Sequence, residues 1–420
     1  MGWDDISCMV NFKRFFILIT IFYYTVAVSQ PAQVKVGAEV LLEKHLSLLI
    51  DQKVGVICNQ ASVLSSGNHL VDALFDNGVN VVALFSPEHG IRGNLQAGQK
   101  YDSRIDEITG LMVYSLYGKN LKPTSEMLKD IDVLLFDLQD VGARFYTYSI
   151  TMAFSMQAAA ENTKKFIVLD RPNPINGIDV EGTILDTSLK SSIGILPIPI
   201  RHGMTLGEMA KMIVGEKWLD NISDLNLQII PIEGWKREMY FDETNLSWIP
   251  PSPNMKSVST AIVYPGTCLI EGTNISEGRG TDKPFEFIGA PWIEAKRLSK
   301  KLNSSKLPGV DFQPITFIPK SDTTLKSNPK HEGLSCGGVF LKIHDRKKYQ
   351  PVITGMEIIQ AIFEMYPDSI KINASFFDKL VGSSKFRKAL QVGKTHKYFH
   401  QSYKEGLKDY IQKRQKYIIY

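Results

Sequence analysis

The sequence SPEHG at residues 86–90 contains the side chain best placed for acid–base chemistry. Glu88 lies between Pro87, which stiffens the backbone, and Gly90, which permits a turn. A carboxyl held on such a loop is positioned as a general acid must be. We therefore predict Glu88 as a catalytic group. His89 beside it is a candidate for binding a substrate, or for supporting the loop through a hydrogen bond.

Two further loops offer carboxylates and guanidinium groups. Asp137 and Asp140 follow one apolar run, with Arg144 close behind, and Asp170 and Arg171 follow another. A guanidinium is the usual bidentate partner of a carboxylate, so these arginines could bind an acidic substrate. The alternative is that the aspartates cap helices or pair with the arginines and thereby anchor the loops.

A glycine-rich polar stretch at residues 271–281 is the third group of candidates. Glu277 and Arg279 stand between glycines there, an arrangement that suits hydrogen bonding to a sugar, although glycine-rich loops alone are weak indicators. Other polar side chains in these loops are candidates for substrate binding: Asn59, Tyr146, Asn173, His202 and Asn274.

The elements that must position these loops form an α/β pattern. Five short apolar runs between residues 54 and 170 predict buried strands, and helical segments lie between them. Such alternation predicts a Rossmann-like parallel sheet with helices on both faces, whose ligands bind beyond the carboxyl ends of the strands. The first strand-to-helix turn lacks a G-x-G-x-x-G motif, so nucleotide binding is not implied. The apolar run at residues 259–264 reads as a further strand.

Proline-rich residues 250–254 predict a domain junction, because this stretch cannot be helical. We expect a catalytic domain at residues 34–249 and a smaller mixed α+β auxiliary domain at residues 250–420 that closes the cleft. Residues 1–29 resemble a signal peptide: Lys13 and Arg14 precede an apolar run that ends in small residues. We expect an exported protein, periplasmic or secreted, with no membrane span once the leader is cleaved.

Composition narrows the possible partners. The net charge of +4 over 420 residues is small and its lysines and arginines are dispersed, so nucleic acid is not implied. Removal of the leader leaves Cys58, Cys268 and Cys336 without a spacing typical of zinc sites. Nothing in the sequence requires a metal or another cofactor, and the oligomeric state is not readable from it.

The residues alone leave three functions open. The first is glycoside hydrolysis, and the second is non-catalytic binding of a sugar. The third is hydrolysis that depends on a metal held by several acidic and histidine side chains: Asp137, Asp140, Asp170, His89 and His202. No pair among these residues has a familiar metal-ligand spacing, which disfavours the third function.

Longer motifs then resemble one family. They are SPEHG at residues 86–90, SLYG at 115–118, DLQDVGARFYTY at 137–148, LDRPNP at 169–174, RHGMTLGE at 201–208, PSPNM at 251–255, YPGTCLIEGTNISEGRGTDKPFEFIGAPW at 264–292 and the terminal KYIIY. Together they are similar to the NamZ-type exo-β-N-acetylmuramidases, glycoside hydrolase family 171, over residues 36–420.

The resemblance implies a Rossmann-like catalytic domain, an auxiliary domain, and release of terminal N-acetylmuramic acid from peptidoglycan chains or muropeptides. It implies that Glu88 is the general acid. A cation is then needed for the lactyl carboxylate of the sugar, and Arg144, Arg171 or Arg279 would serve. Asp140 and Glu277 are the candidates for a second catalytic carboxylate. A route assisted by the 2-acetamido group of the substrate stays open beside retention and inversion.

Overall fold

A mostly parallel sheet of seven strands forms the first half of the chain. The computed structural model describes residues 34–87, 90–92, 103–321 and 328–420, which belong to one compact unit, Gln33–Tyr420. The expected signal peptide at residues 1–29 lies outside the described residues. The strands of this sheet are β1 (Val54–Cys58), β2 (Val81–Ser86), β3 (Arg104–Ile105), β4 (Met112–Ser115), β5 (Val133–Asp137), β6 (Lys165–Leu169) and β7 (Leu227–Ile230).

The strand order is β3-β4-β2-β1-β5-β6-β7, and all neighbours are parallel except β3 and β4. Side chains alternate between the two faces. On β1, Val56 packs on one face and Ile57 on the other. The helices of this half are α1 (Gly37–Lys44), α2 (Leu70–Asp76), α3 (Ser125–Leu128), α4 (Tyr148–Glu161) and α5 (Leu206–Gly215). Since α1 and α2 cover one face and α4 and α5 the other, the predicted α/β class is confirmed.

The second half contains a small antiparallel sheet and six helices among its described residues. Its strands, in the order β8-β10-β9, are β8 (Phe287–Ala290), β9 (Val310–Phe317) and β10 (Cys336–Ile343). The helices are α6 (Val258–Thr267), α7 (Ala295–Ser304), α8 (Pro351–Met365), α9 (Ala374–Val381), α10 (Lys385–Gln391) and α11 (His396–Arg414). One hydrophobic core joins this half to the α4 face of the large sheet. The domain division at residues 249 and 250 stays a prediction.

The prediction of a strand at residues 259–264 was wrong, because this run lies within α6. Ser257 caps the helix by accepting a hydrogen bond from the Thr260 N–H (3.2 Å). The backbones of α6 and α8 approach closely, since a Cβ atom on Gly266 would lie 1.8 Å from the Pro351 carbonyl oxygen. Burial against α8 and the Ser257 cap therefore override the strand preference of β-branched residues.

The chain terminus is bound to the large sheet beside the ends of β6 and β7. The Tyr420 hydroxyl donates a hydrogen bond to Asp170 (2.7 Å), and it accepts one from the Ile232 N–H (2.9 Å). Asp170 is fully buried, and burial raises its pKa from 3.8 to about 7, despite hydrogen bonds to the carboxylate. Within the described residues, no helix is both long and apolar enough to cross a membrane.

We expect Tyr420→Phe to destabilise the protein more at pH 8 than at pH 5. Because folding raises the pKa of Asp170, its contribution to stability is present at low pH and is lost as pH rises between about 4 and about 7. The Tyr420 hydroxyl donates a hydrogen bond to Asp170 and so stabilises the ionised carboxylate, which is the dominant form of Asp170 above this pH range. Losing it should lower the free energy of unfolding by about 1.5–3 kcal/mol at pH 8. Urea unfolding at both pH values checks this, with the exposed Tyr398→Phe as control. Equal losses at the two pH values would contradict it.

Candidate functional site

The site lies where the direction of winding of the large sheet changes. Strands β1 and β5 are neighbours, but the chain continues from β1 to β2 on one side and from β5 to β6 on the other. The loops that follow β1 and β5 therefore diverge and leave a crevice at their carboxyl ends. The last residues of β1 and β5 pair with each other (Cys58 with Asp137), and so do those of β2 and β4 (Ser86 with Ser115). Because β1 and β2 are also in register at their ends, these four strands end at the same level of the sheet.

Ser86 and Pro87, the first two residues of the SPEHG motif, lie at the carboxyl end of β2 beside this crevice. Ile57 of β1 pairs with Phe85 of β2, so Pro87 lies beside the start of the loop that follows β1. Glu88 and His89 lie outside the described residues. Their predicted roles as general acid and binding residue stay predictions.

Asp140 is held in the loop after β5 by two hydrogen bonds to one of its oxygens. Its Oδ2 accepts from the Gly142 N–H (2.7 Å) and lies 3.2 Å from His202 Nε2. The Met204 N–H donates to His202 Nδ1 (3.3 Å), so the neutral imidazole carries its proton on Nε2 and donates it to Asp140. The other oxygen, Oδ1, is buried and has no hydrogen-bond partner among the described residues. Asp140 therefore keeps one oxygen for a ligand.

Tyr146 lies close to Asp140 on the same loop. Its ring packs edge-on against Tyr148 (4.8 Å between centroids) and Tyr264 (6.0 Å). Burial raises the pKa of the Tyr146 hydroxyl well above its usual value; Tyr148 and Asp140 act in the same direction, and Ser252 opposes them. Ser252 and Tyr148 lie near enough to influence the hydroxyl, but neither meets hydrogen-bonding geometry, and no other described residue does. The hydroxyl therefore stays protonated and able to donate.

Asn59 links the loop after β1 to this aromatic group. Its Nδ2 donates to the Tyr148 hydroxyl (2.8 Å), which donates in turn to the Pro251 carbonyl oxygen (2.5 Å). Asn59 Oδ1 accepts from the Ala61 N–H (3.0 Å). The whole amide is thus engaged within the protein, and Asn59 supports the wall of the crevice.

Glu277 lies in a different cluster, in which both of its oxygens are neutralised. Oε1 pairs with Arg279 Nε (3.3 Å) and Oε2 with Lys330 Nζ (3.0 Å), while Arg279 also pairs with Glu271 (2.6 Å). Burial alone would lower the pKa of the Arg279 guanidinium, but the neighbouring carboxylates of Glu271 and Glu277 outweigh burial and raise that pKa. The Arg279 guanidinium lies over the ring of Phe285 (5.1 Å). The geometry favours an anchoring role for both Glu277 and Arg279.

Asn274 also serves the backbone of this region. Its Nδ2 donates to the Ser369 carbonyl oxygen (2.9 Å), and its Oδ1 accepts from the Lys371 N–H (2.8 Å). Aromatic rings link this cluster to Tyr146, since Phe285 packs against Tyr264 (4.8 Å) and Tyr264 packs against Tyr146 (6.0 Å). Two of the three predicted catalytic carboxylates are thus described, and they occupy different surroundings.

The remaining predicted binding residues are tied to protein atoms. Arg144 is fully buried and donates to the carbonyl oxygens of Thr183 (2.6 Å) and Leu380 (2.8 Å), while burial lowers its pKa to about 9. Arg171 forms a bidentate pair with Asp137 (2.5 and 2.9 Å). Asn173 donates to the Met204 carbonyl oxygen (2.9 Å). All three arrangements favour structural roles, and binding of the lactyl carboxylate by Arg144, Arg171 or Arg279 stays a prediction.

Sequence reasoning missed two contributors to the site. Tyr148 was part of a motif but was given no role, although its hydroxyl bridges Asn59 and the Pro251 carbonyl. Tyr410 on α11 donates a hydrogen bond to the His202 carbonyl oxygen (3.0 Å), so the end of the chain helps to place the residue that holds Asp140. The proline-rich run at residues 250–254 predicted a domain junction. Its sequence did not indicate that the Pro251 carbonyl oxygen would accept hydrogen bonds from Asn59 and Tyr148.

Two family models match the chain in succession. The N-terminal model of exo-β-N-acetylmuramidase NamZ matches residues 54–259, and the C-terminal model matches residues 262–420. The chain belongs to the NamZ family. A member of this family from Bacillus subtilis strain 168, the peptidoglycan β-N-acetylmuramidase NamZ, is 46% identical over 394 residues, which are 93% of this chain and 92% of the relative.

Solved structures related to this NamZ-family chain have the same fold. A DUF1343 family protein from Bacteroides fragilis NCTC 9343 is 37% identical with a TM-score of 0.85, covering 92% of this chain and 99% of its own. A second DUF1343 family protein from the same organism is 34% identical with a TM-score of 0.75, covering 93% of this chain and 99% of its own. The resemblance found in the motifs is therefore confirmed along both halves.

Proposed function

We propose that this chain is an exo-acting β-N-acetylmuramidase that hydrolyses terminal, non-reducing N-acetylmuramic acid from peptidoglycan fragments. The observation that carries this proposal is the match of both family models, together with 46% identity to the Bacillus subtilis peptidoglycan β-N-acetylmuramidase. Both halves of the chain take part in that match, so the relationship includes the sheet, its loops and the second half.

The arrangement of carboxylates in the crevice supports the proposal that the protein is a glycosidase. Hydrolysis of a glycoside uses an acid for the leaving oxygen and a second group at the sugar. Glu88 is the predicted acid, and Asp140 is the better candidate for the second group because its Oδ1 is unengaged among the described residues. Glu277 is less suited, because Arg279 and Lys330 already neutralise its carboxylate.

We further propose that the protein is exported. Lys13 and Arg14 precede an apolar run that ends in small residues, which is the pattern of a cleaved leader. Mass spectrometry of the mature protein from its native host would show an amino terminus near residue 30, whereas a retained leader would contradict export by cleavage. An exported protein would encounter peptidoglycan fragments outside the cytoplasm.

The test compares a chromogenic β-N-acetylmuramide with the matching β-N-acetylglucosaminide. We expect the wild type to release the chromophore from the muramide alone, and Glu88→Gln to lower the rate about 10²–10⁴-fold because the leaving oxygen loses its proton donor. Calorimetry should show that Glu88→Gln still binds the muramide. Glu126→Gln, an exposed carboxylate on α3, is the matched control and should keep full activity. Folded wild-type protein that binds the muramide but never cleaves it would favour a sugar-binding protein instead.

A further inference from the structure

Two buried polar atoms without partners belong to side chains of the loop that follows β5. Asp140 is 5% exposed and Tyr146 is 7% exposed, yet Asp140 Oδ1 and the Tyr146 hydroxyl both lack a hydrogen bond to any described residue. Leaving such an atom unsatisfied costs about 1–3 kcal/mol, so native proteins rarely do so without a use for it. Two unsatisfied atoms on one loop of the crevice indicate a ligand that satisfies both.

The two atoms have opposite hydrogen-bonding characters. Asp140 Oδ2 already accepts from Gly142 and His202, which fixes the carboxylate and leaves Oδ1 as an acceptor. Tyr146 stays protonated and offers a donor, and the edge-on rings of Tyr148 and Tyr264 hold it in place. A matching ligand group therefore presents one N–H or O–H and one oxygen acceptor. An amide is such a group.

We infer that Asp140 and Tyr146 bind the 2-acetamido group of the sugar to be released and make it the internal nucleophile of the reaction. Asp140 Oδ1 accepts the acetamido N–H, and the Tyr146 hydroxyl donates to the acetamido oxygen. This inference rests on the proposed function, since it specifies how the same crevice uses an N-acetylated sugar. It makes Tyr146 a catalytic residue and gives Asp140 a role other than attacking nucleophile or base for water.

The reaction then proceeds in two balanced steps. In the first, the acetamido oxygen forms a bond to C1, the bond from C1 to the glycosidic oxygen breaks, and its electron pair stays on that oxygen, which takes a proton from the general acid. Asp140 takes the N–H proton as the oxazoline ring closes. In the second, water adds to C1, the ring bond to C1 breaks, the nitrogen regains its proton from Asp140, and the proton of water returns to the conjugate base of the acid. Two displacements at C1 retain the β configuration.

The reaction can be tested on the wild type with substrates that differ only in the acyl group. We expect kcat/KM to fall progressively from the N-acetyl to the N-trifluoroacetyl muramide, by roughly a hundredfold in all, because fluorine withdraws electrons from the attacking oxygen. Proton NMR of the first product should show the β anomer. Rates that do not change with fluorination, or an α anomer as first product, would overturn the inference while leaving the muramidase activity intact. No release from any of these substrates would overturn the proposed function itself.

Binding of a stable mimic separates this role from a structural one. The thiazoline analogue of N-acetylmuramic acid resembles the cyclised intermediate, and we expect calorimetry to show tight binding by the wild type. Tyr146→Phe should weaken that binding at least about tenfold and lower kcat about 10²–10³-fold, whereas the exposed Tyr398→Phe should change neither. Circular dichroism checks that Tyr146→Phe is folded. A folded Tyr146→Phe variant that binds the thiazoline as tightly as the wild type would contradict the inference.

Discussion

Asp140→Asn is expected to lower kcat/KM on a chromogenic β-N-acetylmuramide about 10²–10⁴-fold, because it removes the only unengaged carboxylate oxygen that we find among the described candidate carboxylates. The change is nearly isosteric, so the amide oxygen can still accept hydrogen bonds from Gly142 and His202. Its NH₂ group then takes the place of Oδ1 and presents a donor where the ligand needs an acceptor. Steady-state kinetics beside thermal unfolding measures both the loss of activity and the retention of the fold.

The matched control for this change is Asp130→Asn, because Asp130 is exposed and pairs with Lys53 only at 3.9 Å. It should leave kcat/KM unchanged. Glu277→Gln provides the opposite comparison: it disturbs the ion pairs with Arg279 and Lys330 and should affect stability more than the chemical step. The assignment of Asp140 to the site would be wrong if a folded Asp140→Asn variant kept more than about a tenth of wild-type kcat/KM.

The sequence predicted the large sheet well because buried parallel strands are continuous apolar runs with turns at their ends. Five buried strands were predicted between residues 54 and 170, and the structure has β1, β2, β4, β5 and β6 there. The same rule failed at residues 259–264, where an equally apolar run forms α6. Close packing of α6 against α8 depends on Gly266 and on residues about ninety positions later, and a local pattern carries no such information.

The candidate site was predictable in its location but not in the partners of its residues. Polar loops after parallel strands converge by topology, which is why the sequence could name Asp140, Tyr146 and His202 as candidates. Glu277 and Asp140 looked equivalent in the sequence, because their partners are distant along the chain. Lys330 lies 53 residues from Glu277, and His202 lies 62 residues from Asp140. The arginines likewise looked free to bind a substrate, although Arg144 contacts a carbonyl 236 residues further along the chain.

Arg171→Leu should destabilise the fold by about 3–5 kcal/mol, because it leaves a buried carboxylate without its counter-ion. The Asp137 side chain is fully buried and that of Arg171 is 6% exposed, and their bidentate hydrogen bonds span the carboxyl ends of β5 and β6. Arg171 also donates to the Val63 carbonyl oxygen (3.0 Å), so the same side chain holds the loop after β1. Urea unfolding followed by circular dichroism measures the free energy of unfolding.

The double variant Asp137→Asn/Arg171→Leu decides whether the loss comes from the unpaired charge. Removing the carboxylate as well should recover most of the stability lost in Arg171→Leu, since two neutral groups need no counter-ion, and the two changes should therefore be strongly non-additive. Lys129→Leu, which breaks an exposed pair with Glu126, is the control and should change stability little. Additive losses in the double variant would mean that Arg171 acts through its packing and its bond to Val63. If Arg171→Leu were stable but bound the muramide weakly, its guanidinium would instead be a substrate ligand, as the sequence had suggested.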